Sequence, residues 1–256
     1  MQLVSITSDF GLQDYYVAEL KGSILSSVPN TQIIDVSHSI DSYDIVQAAL
    51  FLENVIANFP KGSIHCVAVY NYYSTNSRFI VFQHKGHFFI GPDNGVFSLM
   101  FEDLKNFEVY VPEININPKT NICDVLSNVI THIASYKLLE HIGPKADHVN
   151  IKMGIKPVVT NSQIRATILH IDHYENVLIN LKRETFEELR AGRNFTLYYK
   201  QNDPVTEISD HYSDVSIGDV FAIFNKAGYL QLGVNMGKAS SLLNLNKNET
   251  IQINFE

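Results

Sequence analysis

The stretch Leu3-Val4-Ser5-Ile6-Thr7-Ser8-Asp9-Phe10-Gly11-Leu12-Gln13-Asp14 runs from an apolar, β-branched segment into a polar loop with a glycine. Residues 3–7 read as a strand, and residues 15–27 recover a helical period that ends before Pro29. The same alternation then repeats. Residues 31–36 read as a strand, and 44–58 carry Ile45, Ala48, Ala49, Leu52, Val55 and Ile56 at helical spacing up to Phe59-Pro60-Lys61-Gly62. Residues 63–70 read as a third strand. Residues 79–84 and 87–90 flank Lys85-Gly86, a hairpin signal, and 124–139 have the length and period of another helix. Strands alternating with helices predict an α/β layer structure with parallel strands over residues 1–150.

The periodicity fades over residues 151–162, where Met153-Gly154 and Lys156-Pro157 mark a connection. Beyond it the texture changes to short strand-like runs at 163–171, 177–181, 194–200, 219–225 and 229–234, with Gly218 and Gly228 in turns. This pattern predicts a small barrel or sandwich over residues 163–256.

Composition narrows the function classes. The 256 residues carry a formal net charge of −8 and no basic run, which speaks against a phosphate-backbone partner, so no nucleic acid is expected. The two cysteines, Cys66 and Cys123, stand far apart with no metal-site spacing, so neither a disulfide framework nor a metal site is expected. No segment has the apolar length of a membrane span, and the first residues lack the basic region of an export signal. The expectation is a cytoplasmic protein without a membrane partner.

In an open α/β sheet, ligands bind beyond the carboxyl ends of the strands, so the loops after each strand hold the candidate site. The first loop offers Asp9 and Asp14. A carboxylate there can accept both hydroxyls of a ribose or hold an ammonium group, and it can equally cap the following helix. The second, residues 35–44, offers His38 as acid or base and Tyr43 as a stacking ring, with Asp44 placed to cap a helix. The third, residues 70–78, is rich in tyrosines and hydroxyls, a composition that suits a ligand, packing or an oligomer contact. In the second half, Asp172 and Asn176 stand at a strand end. An asparagine pairs well with a purine edge, and it also favours turns for backbone reasons.

Taken together, these segments resemble the family of S-adenosylmethionine (SAM) hydroxide adenosyltransferases, or SAM hydrolases, and the related chlorinases and fluorinases. The resemblance rests on Thr7-Ser8-Asp9-Phe10-Gly11 through Asp14, Tyr16-Val17 and Lys21-Gly22, on Asp35-Val36-Ser37-His38, on Phe59 to His65, and on Gly91-Pro92-Asp93-Asn94-Gly95. It continues through residues 172–180, Tyr212-Ser213-Asp214-Val215 and residues 228–235. It implies an N-terminal Rossmann-like α/β domain, a C-terminal β-barrel, and a homotrimer with SAM or adenosine bound at subunit interfaces. It implies that Asp9 holds the ribose, that Asp14 and Asp172 hold the methionine ammonium, and that Asn176 and the backbone near Met236 read the adenine edge. Tyr212 falls where the family stacks a ring on the base. SAM is then substrate or ligand, with no cofactor or metal.

The resemblance also exposes a departure. Family hydrolases handle water with an Asp–Arg–His set, and the aligned positions are Tyr70, Ser77 with Arg78 beside it, and Asn121. Halogenases carry a tyrosine at the position of Tyr70 and an aromatic residue at that of Tyr43, but a small hydroxyl residue where Ile122 stands. The sequence therefore predicts SAM hydrolysis with an altered water-positioning site. The alternatives are a non-catalytic SAM or adenosine binder and, behind both, a halogenase.

Overall fold

A parallel sheet needs helices on both faces, and the first half of the chain supplies them in order. The computed structural model describes residues 2–70, 77–113, 121–199 and 203–256. The chain divides into two compact units, Met1–Gly154 and Ile155–Glu256.

In the first unit, β1 (Gln2–Ser8), α1 (Tyr16–Ser27), β2 (Thr31–Ser37), α2 (Ile45–Val55) and β3 (Ile64–Ala68) lead into a hairpin of β4 (Phe79–His84) and β5 (His87–Pro92). Then follow α3 (Val96–Met100), β6 (Val109–Tyr110) and α4 (Ile122–Tyr136). The sheet order is β2-β1-β3-β5-β4-β6. β2, β1, β3 and β5 run parallel, while β4 pairs antiparallel with both β5 and β6. The Lys85-Gly86 turn holds both residues at positive φ, 48° and 85°, as a tight hairpin turn requires.

Side-chain alternation along the strands feeds two apolar layers. Val4, Ile6, Ile64, Cys66 and Ile90 pack under Leu20 and Ile24 of α1 and under Val125, Leu126, Val129, Ile130 and Ile133 of α4. On the other face, Val67, Val69, Phe82 and Phe89 pack against Ala48, Ala49 and Leu52 of α2 and Val96 and Phe97 of α3. Helix starts are set locally. Asp44 accepts the Gln47 amide at 2.9 Å to cap α2, and Asn121 accepts the Cys123 amide at 2.8 Å to cap α4.

The strand order has a functional consequence. From β1 the chain goes outward to β2 on one side and returns to β3 on the other, with α1 and α2 on opposite faces. Such a reversal opens a crevice beyond the carboxyl ends of the strands flanking it, here β1 and β3.

The second unit comprises β7 (Val158–Val159), β8 (Gln163–Ile171), β9 (Val177–Lys182), α5 (Arg183–Arg190), β10 (Phe195–Tyr198), β11 (Val220–Phe224), β12 (Tyr229–Val234), α6 (Ala239–Leu243) and β13 (Thr250–Phe255). Its antiparallel order is β10-β13-β8-β9-β12-β11, with β7 added beside β8. The sheet curls at β8. Residues 163–167 of β8 pair with β13, residues 168–171 pair with β9, and the register shifts between Ile168 and His170. The result is a half-barrel around Ile164, Ile179, Leu181, Phe186, Leu197, Leu232 and Ile253.

β7 lies inside the 151–162 stretch read as a connection, while α3, α5, α6 and β13 are elements that the apolar spacing does not reveal. Residues 71–76 of the tyrosine-rich loop, Thr120 and Lys200 lie outside the described residues. Among the described residues, no helix is long and apolar enough to cross a membrane.

Candidate functional site

Three loops converge beyond the carboxyl ends of β1, β2 and β3, and Asp9 is their junction. Its Oδ2 accepts the Tyr43 amide at 3.0 Å and the Tyr70 amide at 3.2 Å. Both tyrosines adopt left-handed backbone, with φ of 69° and 53°, a conformation that costs an L-residue roughly 1–2 kcal/mol. Charge-assisted bonds to a carboxylate offset that cost. The two rings meet edge-on with centroids 5.5 Å apart and remain largely exposed. Tyr70 is also held from its other side, because Asn94 Nδ2 donates to the Tyr70 carbonyl at 3.3 Å and the Val69 carbonyl at 3.0 Å.

Behind Asp9 a chain of polar contacts runs from the buried Ser8 and His38 out to the exposed Asp35. Ser8 Oγ and His38 Nδ1 share a hydrogen bond of 2.6 Å, His38 Nε2 approaches Asp35 Oδ1 at 3.1 Å, and Lys21 donates to Asp35 Oδ2 at 2.6 Å. Burial pushes the Asp35 carboxyl up, but Lys21 and His38 together hold it below its ordinary value. His38 is buried to 4% exposure, so it braces β1 against β2 without opening to solvent.

The helix-cap alternative for the first loop is not used, because the cap position of α1 falls on Tyr15 and no side chain caps it. Asp14 is exposed just before it.

The four positions aligned with the family's water-handling residues are separated by their bonding. Tyr70 touches Asp9 directly. Ser77 is half-buried at the far end of the same loop. Arg78 serves the fold, since its Nε donates to Asp93 Oδ2 at 2.8 Å and its Nη2 to the His148 carbonyl. Asp93 Oδ1 in turn accepts the Asn150 amide at 2.9 Å, so this pair fastens residues 148–150 to the sheet. Asn121 has both polar ends engaged, Oδ1 with the cap of α4 and Nδ2 with Glu19 Oε1 at 2.6 Å.

The second unit holds its own pocket, a hollow of about 1100 Å³ lined by Asp172, Asn176, Tyr212, Phe221, Met236 and Leu242 among others. The loop between β8 and β9 folds on Asp172, whose Oδ1 accepts the Asn176 amide at 2.8 Å and whose Oδ2 accepts Asn176 Nδ2 at 3.0 Å. These bonds give the pair the turn role that the asparagine's backbone preference suggested. Gln231 Nε2 approaches the same Oδ2 at 3.4 Å, a neighbour that sequence pattern alone did not bring out. Tyr212 packs edge-on against Phe221 at 5.2 Å, and Met236 stands at φ 55° with 86% of its surface exposed. Asn176 and Phe221 each come close to the backbone at Gly233, where an added Cβ would run into the Phe221 ring and lie 2.6 Å from Asn176 Oδ1.

Comparison with known proteins gives these loops a common context. The pattern of the SAM hydroxide adenosyltransferase N-terminal domain matches residues 4–143, and that of the C-terminal domain matches residues 166–252. The chain belongs to the SAM hydroxide adenosyltransferase family. Its relatives include an (R)-S-adenosyl-L-methionine hydrolase of Methanocaldococcus jannaschii, 23% identical over 99% of this chain and 96% of that protein. A fluorinase of Nocardia brasiliensis is likewise 23% identical, over 98% of this chain and 96% of its own length. Among solved structures, an uncharacterized conserved protein from Thermotoga maritima superposes with a TM-score of 0.86, at 24% identity, over 98% of this chain and 99% of its own. Family membership and the α/β plus antiparallel β architecture therefore agree with the reading of the sequence.

Proposed function

We propose that this chain hydrolyses SAM to adenosine and methionine. The observation that carries the reading is Asp9 at the β1/β3 crevice, bonded to the Tyr43 and Tyr70 amides, in a chain whose relatives along its whole length include SAM hydrolases. A carboxylate offers about four acceptor directions, and the two amides take only one oxygen of Asp9. Asp9 then takes the ribose hydroxyls. Asp14 and Asp172 take the methionine ammonium, Asn176 and the Met236 backbone take the adenine edge, and Tyr212 stacks on the base.

The chemistry asks little of the protein beyond placement. Water attacks C5′, the C5′–S bond breaks with its electron pair going to sulfur, neutral methionine departs, and the water proton passes to solvent. The sulfonium is already a good leaving group, so alignment and exclusion of bulk water supply the rate. Tyr70, adjoining Asp9, orients that water, with Ser77 at the end of the same loop. The working form is a cytoplasmic homotrimer in which subunits share ligand sites, and no cofactor, metal, nucleic acid or membrane takes part.

A second reading, a SAM or adenosine binder without turnover, is favoured by the engagement of Arg78 with Asp93 and of Asn121 with α4. Incubating the protein with SAM and measuring adenosine and methionine separates the two readings. Equimolar products support hydrolysis, whereas intact SAM together with saturable adenosine binding supports the binder. Formation of 5′-chloro-5′-deoxyadenosine when chloride is added would instead support a halogenase.

A further inference from the structure

Two segments that line the C-terminal pocket are joined by a residue at an unfavourable backbone angle. Glu175 sits in the β8–β9 loop at φ 64°, a region glycine enters freely and a glutamate does not. Its amide donates to the Asp172 carbonyl at 2.9 Å, which closes the turn. A glycine would make that turn without strain, so the turn alone does not account for the side chain.

What the side chain adds is a set of bonds between the two segments. Beside the backbone bond from the Ser240 amide to the Glu175 carbonyl at 3.0 Å, which any residue would make, the side-chain Oε2 accepts the Ser241 amide at 3.0 Å and Oε1 accepts Lys238 Nζ at 2.9 Å. Bonds from Ser241 and then Lys238 hold the Glu175 carboxyl down at about 2, so it is ionised throughout the physiological range. The segment so held carries the turn that closes from the Gly237 amide to the Val234 carbonyl at 3.0 Å and presents Met236 to the pocket.

We propose that Glu175 is a positioning residue for the nucleoside base: it latches residues 236–241 onto the 172–176 loop, so both backbone walls of the pocket stand ready before the ligand arrives. The proposal rests on the reading that this pocket takes the adenine. The latch acts through Asn176 and the Met236 backbone and needs no contact of its own with the base. Ordering these segments in advance removes a cost that binding would otherwise carry.

Glu175→Gly tests this without threatening the fold, because glycine suits the φ and leaves the turn intact. Calorimetric titration with adenosine should show Kd raised about tenfold, with the melting temperature unchanged or higher. For SAM turnover, KM should rise comparably with kcat held within about twofold, the signature of lost binding shared by ground and transition states. Glu175→Gln keeps an acceptor for the Ser241 amide and should bring Kd back to within about threefold of the parent. If the parent protein binds adenosine and Glu175→Gly binds it equally well, the latch is overturned while the pocket assignment stands. A parent protein without adenosine affinity overturns the pocket assignment and the latch with it.

Discussion

Asp9 Oδ2 accepts the Tyr70 amide at 3.2 Å, and that bond joins the loops following β1 and β3, the two strands between which the sheet order reverses. Because the same oxygen holds the Tyr43 amide, Asp9 both shapes the crevice and faces it. Replacing it with alanine removes the acceptor for two strained loops as well as the proposed ribose acceptor. Asp9→Ala should weaken adenosine binding by roughly 10²-fold, the scale of one or two hydrogen bonds to a charged group. Calorimetry on Asp9→Ala and Asp9→Asn checks this, and unchanged affinity in the alanine variant contradicts the ligand placement.

Arg78 and Asp93 form a pair whose carboxylate side chain is 1% exposed. Removing the arginine strands a buried charge together with the Asn150 bond it supports. Arg78→Met should destabilise the fold by about 3–5 kcal/mol, measured by urea unfolding. A loss under about 1 kcal/mol, the range of exposed pairs, would show that the pair is not the fastening it is taken for.

Asn121 starts α4, and its loss leaves the Cys123 amide without its cap. Asn121→Ala should cost about 1 kcal/mol and Asn121→Ser should recover most of it, whereas Asn121→Asp keeps the cap but sets a second carboxylate against Glu19 and recovers less. Equal unfolding midpoints for all four proteins would contradict the capping role.

Acid should destabilise the first unit through a buried histidine. Ser5 Oγ and His65 Nδ1 lie 2.6 Å apart, and His65 Nε2 lies 3.1 Å from His87 Nδ1. Burial, and then the neighbouring His87, depress the His65 ring to about 3. The folded value lies below the ordinary 6.5, so the unfolded chain binds the proton first. The stabilisation is complete above about pH 6.5 and is lost as the pH falls toward 3, with a slope of up to about 1.4 kcal/mol per unit from this residue. Unfolding midpoints measured from pH 7.5 to 5 should decline, and the His65 ring should remain neutral by NMR at pH 5. A ring that titrates near 6.5 would contradict this environment.

Much of the architecture could be read from periodicity, since the first three strands and α1, α2 and α4 carry regular apolar spacing, and β8 and β12 begin and end where their β-branched runs do. α5 was hidden because its segment Arg183–Arg190 is mostly charged and buries only Phe186. α3 and α6 span five residues each, too short for a period to register. In the site, Asp9, Tyr43 and Tyr70 were visible as loop residues, yet their union depends on backbone amides and left-handed φ values that no side-chain pattern announces. Arg78–Asp93 and Glu175–Ser241 were hidden for a related reason, because each joins segments whose proximity only the fold creates.

The central claim is that water is the nucleophile at C5′ of SAM. Incubation with SAM in ¹⁸O-labelled water, followed by mass spectrometry, tests it directly. Hydrolysis predicts adenosine carrying one heavy oxygen at the 5′ position, together with unlabelled methionine in equal amount. SAM recovered intact, or a 5′-halogenated nucleoside formed in its place, would contradict the account.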